Sequence, residues 1–206
     1  MCESEILNFD DERCVEILKN GDLLAFPTDT IYGVGCVFDS FDAFKKMVSL
    51  KKRPPEKPFT LMLSDIKQIN DFAYVNERIE NVINKYLPGE ITLILKAKPT
   101  YPWVCLNCDT IGIRISGLNK VIDLINKVSK PLLVSSVNES SKPPLNDLIS
   151  IKEEFEGKIK GIVEYLHYEN SSTPSTIVYL YDDQIKLIRQ GKISFKDILK
   201  TWKGEL

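Results

Sequence analysis

Two stretches of this chain gather polar or charged residues of the kinds that ligand sites use. In the first, the apolar run Leu23-Leu24-Ala25-Phe26 stops at Pro27 and is followed by Thr28, Asp29, Thr30 and Tyr32, then by Gly33 and Gly35. A run of that length reads as a buried strand, and Pro27, which cannot donate to a sheet, ends it. The glycines let the backbone turn sharply or approach a ligand closely. Thr28, Asp29, Thr30 and Tyr32 are thereby delivered to a pocket mouth, since strand ends in α/β folds are where small ligands bind. A polar turn after a core strand is the plain alternative. In the second stretch Lys51, Lys52, Arg53 and Lys57 stand among Pro54, Pro55 and Pro58. A charge run is usually a solvated face. Here the prolines stiffen the backbone and reduce the entropy cost of holding the charges in place. Cations so held can stabilise charge on a transferring phosphoryl group.

Composition narrows the classes. A formal charge of −2 and a pI of about 5.6 carry no global mark of a nucleic-acid binder, although a local basic site is compatible with both. Hydrophobic residues at 43% and charged residues at 27% are ordinary for a globular chain, and 206 residues suffice for one domain, expected over 1–206. No apolar run reaches membrane-spanning length, and Met1-Cys2-Glu3-Ser4-Glu5 lacks the order of a signal peptide. Five cysteines without a secretion signal point to free thiols in a reducing compartment, so a cytoplasmic protein without a membrane partner is expected. There is no Gly-x-x-x-x-Gly-Lys-Ser/Thr phosphate loop, and Gly33-Val34-Gly35 lacks the third glycine of a dinucleotide fingerprint. His167 is the single histidine, which argues against a Ser-His-Asp triad or a multi-histidine metal centre. Cys105 and Cys108 form a lone CxxC that could recruit only Cys36 or His167; accidental loop thiols are the simpler reading, and no metal ligands are assigned.

The elements that must position these residues follow from periodicity and punctuation. Asp10 to Lys19 reads as a helix capped by Asp10, with Cys14, Ile17 and Leu18 on one face and Gly21 past its end. Ser40 caps a second helix with Ala43, Phe44, Met47 and Val48 inward, and the prolines after Arg53 push that arginine into an extended conformation. Further helices are expected from about Asn76 to Tyr86, from an Asn119 cap through Val128, over Asp147 to Glu156, and after Ser194, which opens a capping box. Strands are expected over Phe59–Leu63, Ile91–Leu95, Ile111–Ile115, Leu132–Ser135, Ile162–Tyr165, Thr176–Tyr181 and Gln184–Ile188, the last two as a hairpin; Tyr101–Asp109 and Glu139–Asn146 read as loops. There are more strands than simple βαβ alternation needs, which gives a mixed, twisted sheet with packed helices.

Pro27-Thr28-Asp29-Thr30-Ile31-Tyr32-Gly33, Lys51-Lys52-Arg53-Pro54 and Ser136-Val137-Asn138 resemble the signatures of the YrdC-like family of threonylcarbamoyl-AMP synthases. Pro88-Gly89, Ile111-Gly112-Ile113-Arg114, Pro174-Ser175-Thr176-Ile177-Val178 and Ile188-Arg189-Gln190-Gly191 match as well, in the family's order, from about Gly21 to Ser194. The resemblance implies an open α/β sheet of parallel and antiparallel strands around a concave cationic cavity. It implies a reaction joining L-threonine, bicarbonate and ATP, with Mg2+, to give threonylcarbamoyl-AMP and pyrophosphate. The product would pass to a partner complex that modifies tRNA beside the anticodon, with a weak tRNA or RNA contact left open. Carried over residue by residue, it assigns threonine to Thr30, Arg114, Ser136 and Ser175. It assigns ATP to Lys51, Arg53, Lys57, Thr110, Asn138, Asn146 and Arg189, with Lys51 and Arg53 catalytic.

These assignments are chemically coherent. Arg114 ends an apolar strand, where a guanidinium needs an anionic partner such as a carboxylate. Ser136 and Asn138 project from one side of an extended segment. Catalysis would be positioning plus neutralisation, with no obvious general base. The chain departs from the family at Met62, near a histidine that helps hold threonine in some members, and at Glu90, Val137 and Glu139-Ser140-Ser141. Two competing readings are an RNA-binding module using the same cationic cavity, which the acidic overall charge opposes, and carbamoyl transfer in metal-cofactor maturation, which the absence of zinc-finger and acylphosphatase-like segments opposes.

Overall fold

Every apolar run read as a strand enters one mixed sheet. The computed structural model describes residues 3–53, 58–105, 109–165, 173–181 and 183–205. Among them are ten strands: β1 (Glu5–Leu7), β2 (Leu24–Phe26), β3 (Gly33–Val37), β4 (Thr60–Met62), β5 (Ile91–Lys96), β6 (Thr110–Arg114), β7 (Leu132–Ser136), β8 (Gly161–Val163), β9 (Thr176–Tyr181) and β10 (Gln184–Arg189). Their spatial order is β1-β8-β2-β3-β7-β4-β6-β5-β9-β10. The pairs β1/β8, β8/β2, β4/β6 and β5/β9 are parallel, and the remaining neighbours are antiparallel.

The helices are α1 (Glu12–Lys19), α2 (Phe41–Lys51), α3 (Ile69–Phe72, after a 3-10 turn), α4 (Glu77–Tyr86), α5 (Pro102–Cys105), α6 (Asn119–Val128), α7 (Leu148–Phe155) and α8 (Phe195–Trp202). Helix α1 lies across β2, β3 and β8 and touches α6, α4 packs on α8, and α2 lies on β3. The starts of α2, α4 and α7 are set by side-chain acceptors: Ser40 Oγ takes the Ala43 N–H at 3.2 Å, Asn76 Oδ1 takes that of Ile79 at 3.0 Å, and Asp147 Oδ1 takes that of Ser150 at 2.9 Å. Helix α2, the one that carries Lys51, stops because Lys52 turns into the left-handed region at φ 45°.

Several local expectations shift. The cap of α1 is Asp11, whose Oδ1 accepts from Arg13 N at 3.0 Å, and not Asp10. Asn119 is the first residue of α6 and caps nothing, because the chain before it is already turned by Ser116 Oγ, which accepts from Leu118 N at 3.2 Å. Ser194 stands at the head of α8 without a side-chain cap; burial of Ile198, Thr201 and Trp202 anchors that helix instead. Part of Tyr101–Asp109 is helical, as α5, while Cys108 and His167 lie outside the described residues. Gly33 and Gly35 belong to a fully buried strand, and what they supply is room. A Cβ on Gly33 would stand 2.9 Å from Val134 Cγ1, and one on Gly35 would stand 3.0 Å from the Phe26 ring.

One half of the sheet has two unlike faces. Along β9 the buried Thr176, Val178 and Leu180 alternate with Ile177, Tyr179 and Tyr181, and along β5 the buried Leu93 and Leu95 alternate with the less buried Ile94 and Lys96. The less covered face carries the cavity described below. The chain closes it at a tight corner, where Gly191 N donates to Thr176 Oγ1 (2.9 Å) and that hydroxyl donates to the Ile193 carbonyl (2.8 Å). A Cβ on Gly191 would lie 2.4 Å from the Pro174 carbonyl oxygen and 2.5 Å from Thr176 N, both backbone atoms. Gly191→Ala is therefore expected to cost about 1–3 kcal/mol of stability, read as a lower urea midpoint. An unchanged midpoint would mean that the corner is slack.

Candidate active site

The turn after β2 is stapled by a hydroxyl. Thr28 Oγ1 accepts from Thr30 N (3.1 Å), donates to the Ile31 carbonyl (2.8 Å) and stands 3.1 Å from Thr30 Oγ1, and both threonines are buried. The turn forms one wall of a cavity of about 250 Å³ whose other walls include Ser136, Met62, Arg114, Ser175 and Arg189.

Four cations are held in or behind these walls, each differently. The Arg114 guanidinium donates from an NH2 nitrogen to Asp29 Oδ1 at 2.8 Å, with side chains only 8% and 13% exposed. Arg189, more exposed, reaches back to Ser175, with Nε on its carbonyl (3.0 Å) and an NH2 nitrogen on its hydroxyl (3.1 Å); Ser175 Oγ lies 2.9 Å from Thr92 Oγ1. Arg53 lies over the Phe59 ring at 4.7 Å and donates to the Pro58 carbonyl at 3.3 Å. Its Nε is buried without a hydrogen-bond partner among the described residues. Burial holds the pKa of Arg53 and of Arg189 below the usual guanidinium range, and the nearby Arg114 charge adds to this for Arg189.

Lys51 is the most constrained cation. It is 2% exposed, and its Nζ donates to the Ser136 carbonyl (2.5 Å) and to Asn138 Oδ1 (2.6 Å). Both acceptors are neutral. Burial first, and the charge of Arg53 second, push its pKa down to about 7. Asn138 Oδ1 also takes the Ser136 hydroxyl at 2.6 Å, and Asn138 Nδ2 donates to the Lys142 carbonyl at 2.5 Å. The following Glu139 is clamped between Lys52 and Lys142, the latter at 2.9 Å, and these two ammonium groups hold its carboxyl down at about 2.

Thr30, Arg53, Arg114, Ser136, Ser175 and Arg189 thus line one cavity, with Lys51 and Asn138 directly behind Ser136. Thr110 stands on the same face of β6 as Arg114 but four residues away, about 13 Å along the strand. Asn146 is turned to the backbone, its Oδ1 accepting from Tyr32 N at 2.8 Å. Lys57 lies outside the described residues. Tyr32 reaches the cavity wall, yet its phenol donates to the Val163 carbonyl on β8 (3.0 Å), and burial pushes its pKa up to about 12. Met62 is in the wall beside Arg114, its register partner. Sequence reasoning did not find the link from Asp29 to Arg114 and Ser116, nor Thr92 behind Ser175; separations of 83 to 87 residues leave no local signal for either.

A mixed ten-stranded sheet with a hydroxyl- and guanidinium-lined cavity defines an α/β protein built to hold small anions. The chain belongs to the Sua5/YciO/YrdC family: a family model described as "Telomere recombination" matches residues 16–191. A Methanocaldococcus jannaschii protein named putative threonylcarbamoyl-AMP synthase is 33% identical over 193 residues, covering 92% of this chain and 91% of its own. A Bacillus subtilis threonylcarbamoyl-AMP synthase is 31% identical over 189 residues, covering 90% of this chain. These are enzyme names, and the chain is an enzyme of this family. The H234A/Y235A variant of P. abyssi Sua5 superposes with a TM-score of 0.87 at 25% identity over 96% of this chain, and E. coli YciO with 0.86 at 23% identity over 96% of this chain and 100% of its own. A P. abyssi Sua5 crystal structure complexed with L-threonine shares the fold, with a TM-score of 0.87 at 24% identity over 98% of this chain and 62% of that one. This chain spans 54% of the B. subtilis relative and 60% of the Sua5 variant.

The state of Lys51 is testable through stability. Unfolded, this lysine keeps its proton to about 10.5; folded, it loses it near 7. Between those values the unfolded chain binds more protons, so stability rises with pH. The cost of burying the ammonium is complete below pH 7 and is relieved above it. Cys14 and Cys36, pushed up to about 11 and about 12, oppose this only above their ordinary value of 9.0. The unfolding free energy of the wild type relative to Lys51→Met is therefore expected to rise between pH 7 and 9 in urea titrations, and a flat difference would contradict the assignment.

Proposed function

We propose that this protein makes threonylcarbamoyl-AMP from L-threonine, bicarbonate and ATP, releasing pyrophosphate. The observation that carries this reading is the convergence of Arg53, Arg114 and Arg189 on one small cavity whose other polar side chains are hydroxyls, with the buried Lys51 behind its Ser136 wall. Such a set matches a carboxylate at one end and phosphates at the other. The name of the M. jannaschii relative supports the reaction, and the threonine complex of P. abyssi Sua5 supports the amino acid.

In this reading Thr30, Arg114, Ser136 and Ser175 hold L-threonine. Lys51, Arg53, Lys57, Thr110, Asn138, Asn146 and Arg189 serve ATP. A volume of about 250 Å³ suits an amino acid and the reacting phosphates, with the nucleoside lying beyond the mouth. The threonine nitrogen bonds to the bicarbonate carbon, losing a proton as water departs, to give a carbamate. A carbamate oxygen then bonds to the α-phosphorus as its bond to the bridging oxygen breaks, and pyrophosphate leaves with that electron pair. The chain's share is alignment and neutralisation of charge on the phosphoryl oxygens by Lys51 and Arg53. Mg2+ would enter with the triphosphate and neutralise it. The described residues hold no group of three or more His, Cys, Asp or Glu that could cage the ion, and this ion is commonly bound through substrate phosphates.

We further place this activity in a single domain over 1–206, in the cytoplasm, upstream of a complex that transfers the threonylcarbamoyl group to tRNA. Among the described residues no helix is long and apolar enough to cross a membrane, and Cys14 and Cys36 are free thiols, as a reducing compartment would keep them.

The test is pyrophosphate release by purified protein with L-threonine or bicarbonate omitted in turn. Release that needs both is expected. Release without threonine would make the protein an ATPase or assign it another acceptor. Arg53→Ala is expected to lower kcat/KM by about 2–4 kcal/mol of transition-state stabilisation. Near-normal turnover in a folded variant would remove Arg53 from the machinery.

A further inference from the structure

Asp29 sits in the turn after β2, yet its carboxylate reaches the opposite side of the site. Oδ1 accepts from an Arg114 NH2 nitrogen at 2.8 Å and from Ser116 Oγ at 2.5 Å, while Ser116 Oγ in turn lies 3.5 Å from Asp29 N. Strands β2 and β6 are separated in the sheet by β3, β7 and β4, so this contact is a strut between two walls. Its second oxygen, Oδ2, is buried without a hydrogen-bond partner among the described residues, in a slot so close that a Cβ on Gly117 would stand 3.1 Å from it. The carboxylate is thus fixed on one side by packing and committed on the other to Arg114.

Two physical demands explain the arrangement. A guanidinium on its long side chain loses rotamer freedom when it is fixed, and doing this before substrate arrives removes that cost from binding. Arg114 also has Arg189 as a like-charged neighbour, close enough that the Arg114 charge helps lower the proton affinity of Arg189. Without a counter-charge the two would repel and Arg114 would turn away.

We propose that Asp29 is a positioning residue: by holding one nitrogen of the Arg114 fork it presents that guanidinium to the carboxylate of an α-amino acid substrate. Asp29 touches no reacting atom in this role and acts through Arg114. The inference rests on the reading that the cavity takes L-threonine, and its test separates the two.

The first measurement needs no substrate. In 15N NMR of the unliganded protein, the Arg114 Nε–H signal, assigned by its loss in Arg114→Lys, is expected to be sharp and protected in the wild type and solvent-averaged in Asp29→Ala. The second is kinetic. Asp29→Ala is expected to raise the KM for L-threonine about 10- to 100-fold while kcat and the KM for ATP change by less than about threefold. Asp29→Asn, which keeps Oδ1 but not the charge, is expected to fall between the two and serves if the alanine variant does not fold. The double variant Asp29→Ala/Arg114→Ala is expected to be no worse than Arg114→Ala alone. A normal threonine KM in a folded variant, or losses that multiply in the double variant, would overturn the proposal. An Arg114 signal that depends on Asp29 in a protein that does not respond to L-threonine would uphold the strut and overturn the amino-acid reading.

Discussion

The rest of this site depends on the burial of one cation against neutral oxygens. Lys51 arrives on the last turn of α2, and its ammonium is covered, with a backbone carbonyl and an amide oxygen for company. Taking an ammonium out of water costs several kcal/mol, and two neutral acceptors offset only part of it. The fold therefore holds a positive potential that an incoming polyanion relieves, and Arg53, two residues on, deepens it. This arrangement has to be rigid to be useful. The Ser140 N–H on the Lys51 carbonyl (2.8 Å) and the Lys52–Glu139–Lys142 clamp hold the end of α2 to the loop that bears Asn138.

The sheet serves that rigidity. The walls of the cavity come from both sides of β4, the short strand that pairs in parallel with β6 and antiparallel with β7. Ser136 is at the end of β7 and Arg114 at the end of β6, so pairing register sets where each side chain stands. Side chains that could drift are tied down through backbone atoms: Arg189 to Ser175, the Thr28–Thr30 turn to itself, and the Ser175 corner to Gly191 through Thr176. Cavity hydroxyls and cations are consequently placed by main chain as much as by packing, which is how like charges can be kept close together.

Much of this was legible in the sequence, for identifiable reasons. Strands with Val, Ile and Leu runs, such as β5, β7 and β9, announced themselves, and so did helices with an Asn, Asp or Ser acceptor at the right distance. The Thr-Asp-Thr turn and the proline-set cations were recognisable as chemistry because their residue types are costly to bring together without a use. Strand β3 was not legible, since its glycines read as punctuation when they in fact make room for Val134 and Phe26. Strand β1, three residues long and paired in parallel with β8, has no alternation to detect. The need of Arg114 for an anion was visible, and a substrate carboxylate was the natural candidate; that Asp29 meets part of it from across the sheet follows only from tertiary structure. Likewise Ser136 and Asn138 were expected on one side of an extended segment, but their meeting with Lys51 across 85 and 87 residues was not.

The most direct test of the central claim is to follow the carbon. Purified protein is incubated with ATP, L-threonine and 13C-bicarbonate, and the adenylate product is analysed by mass spectrometry. The account predicts a threonine-containing adenylate carrying one 13C, formed in step with pyrophosphate. Consumption of ATP with no labelled adenylate, under conditions in which the protein is folded, would contradict it.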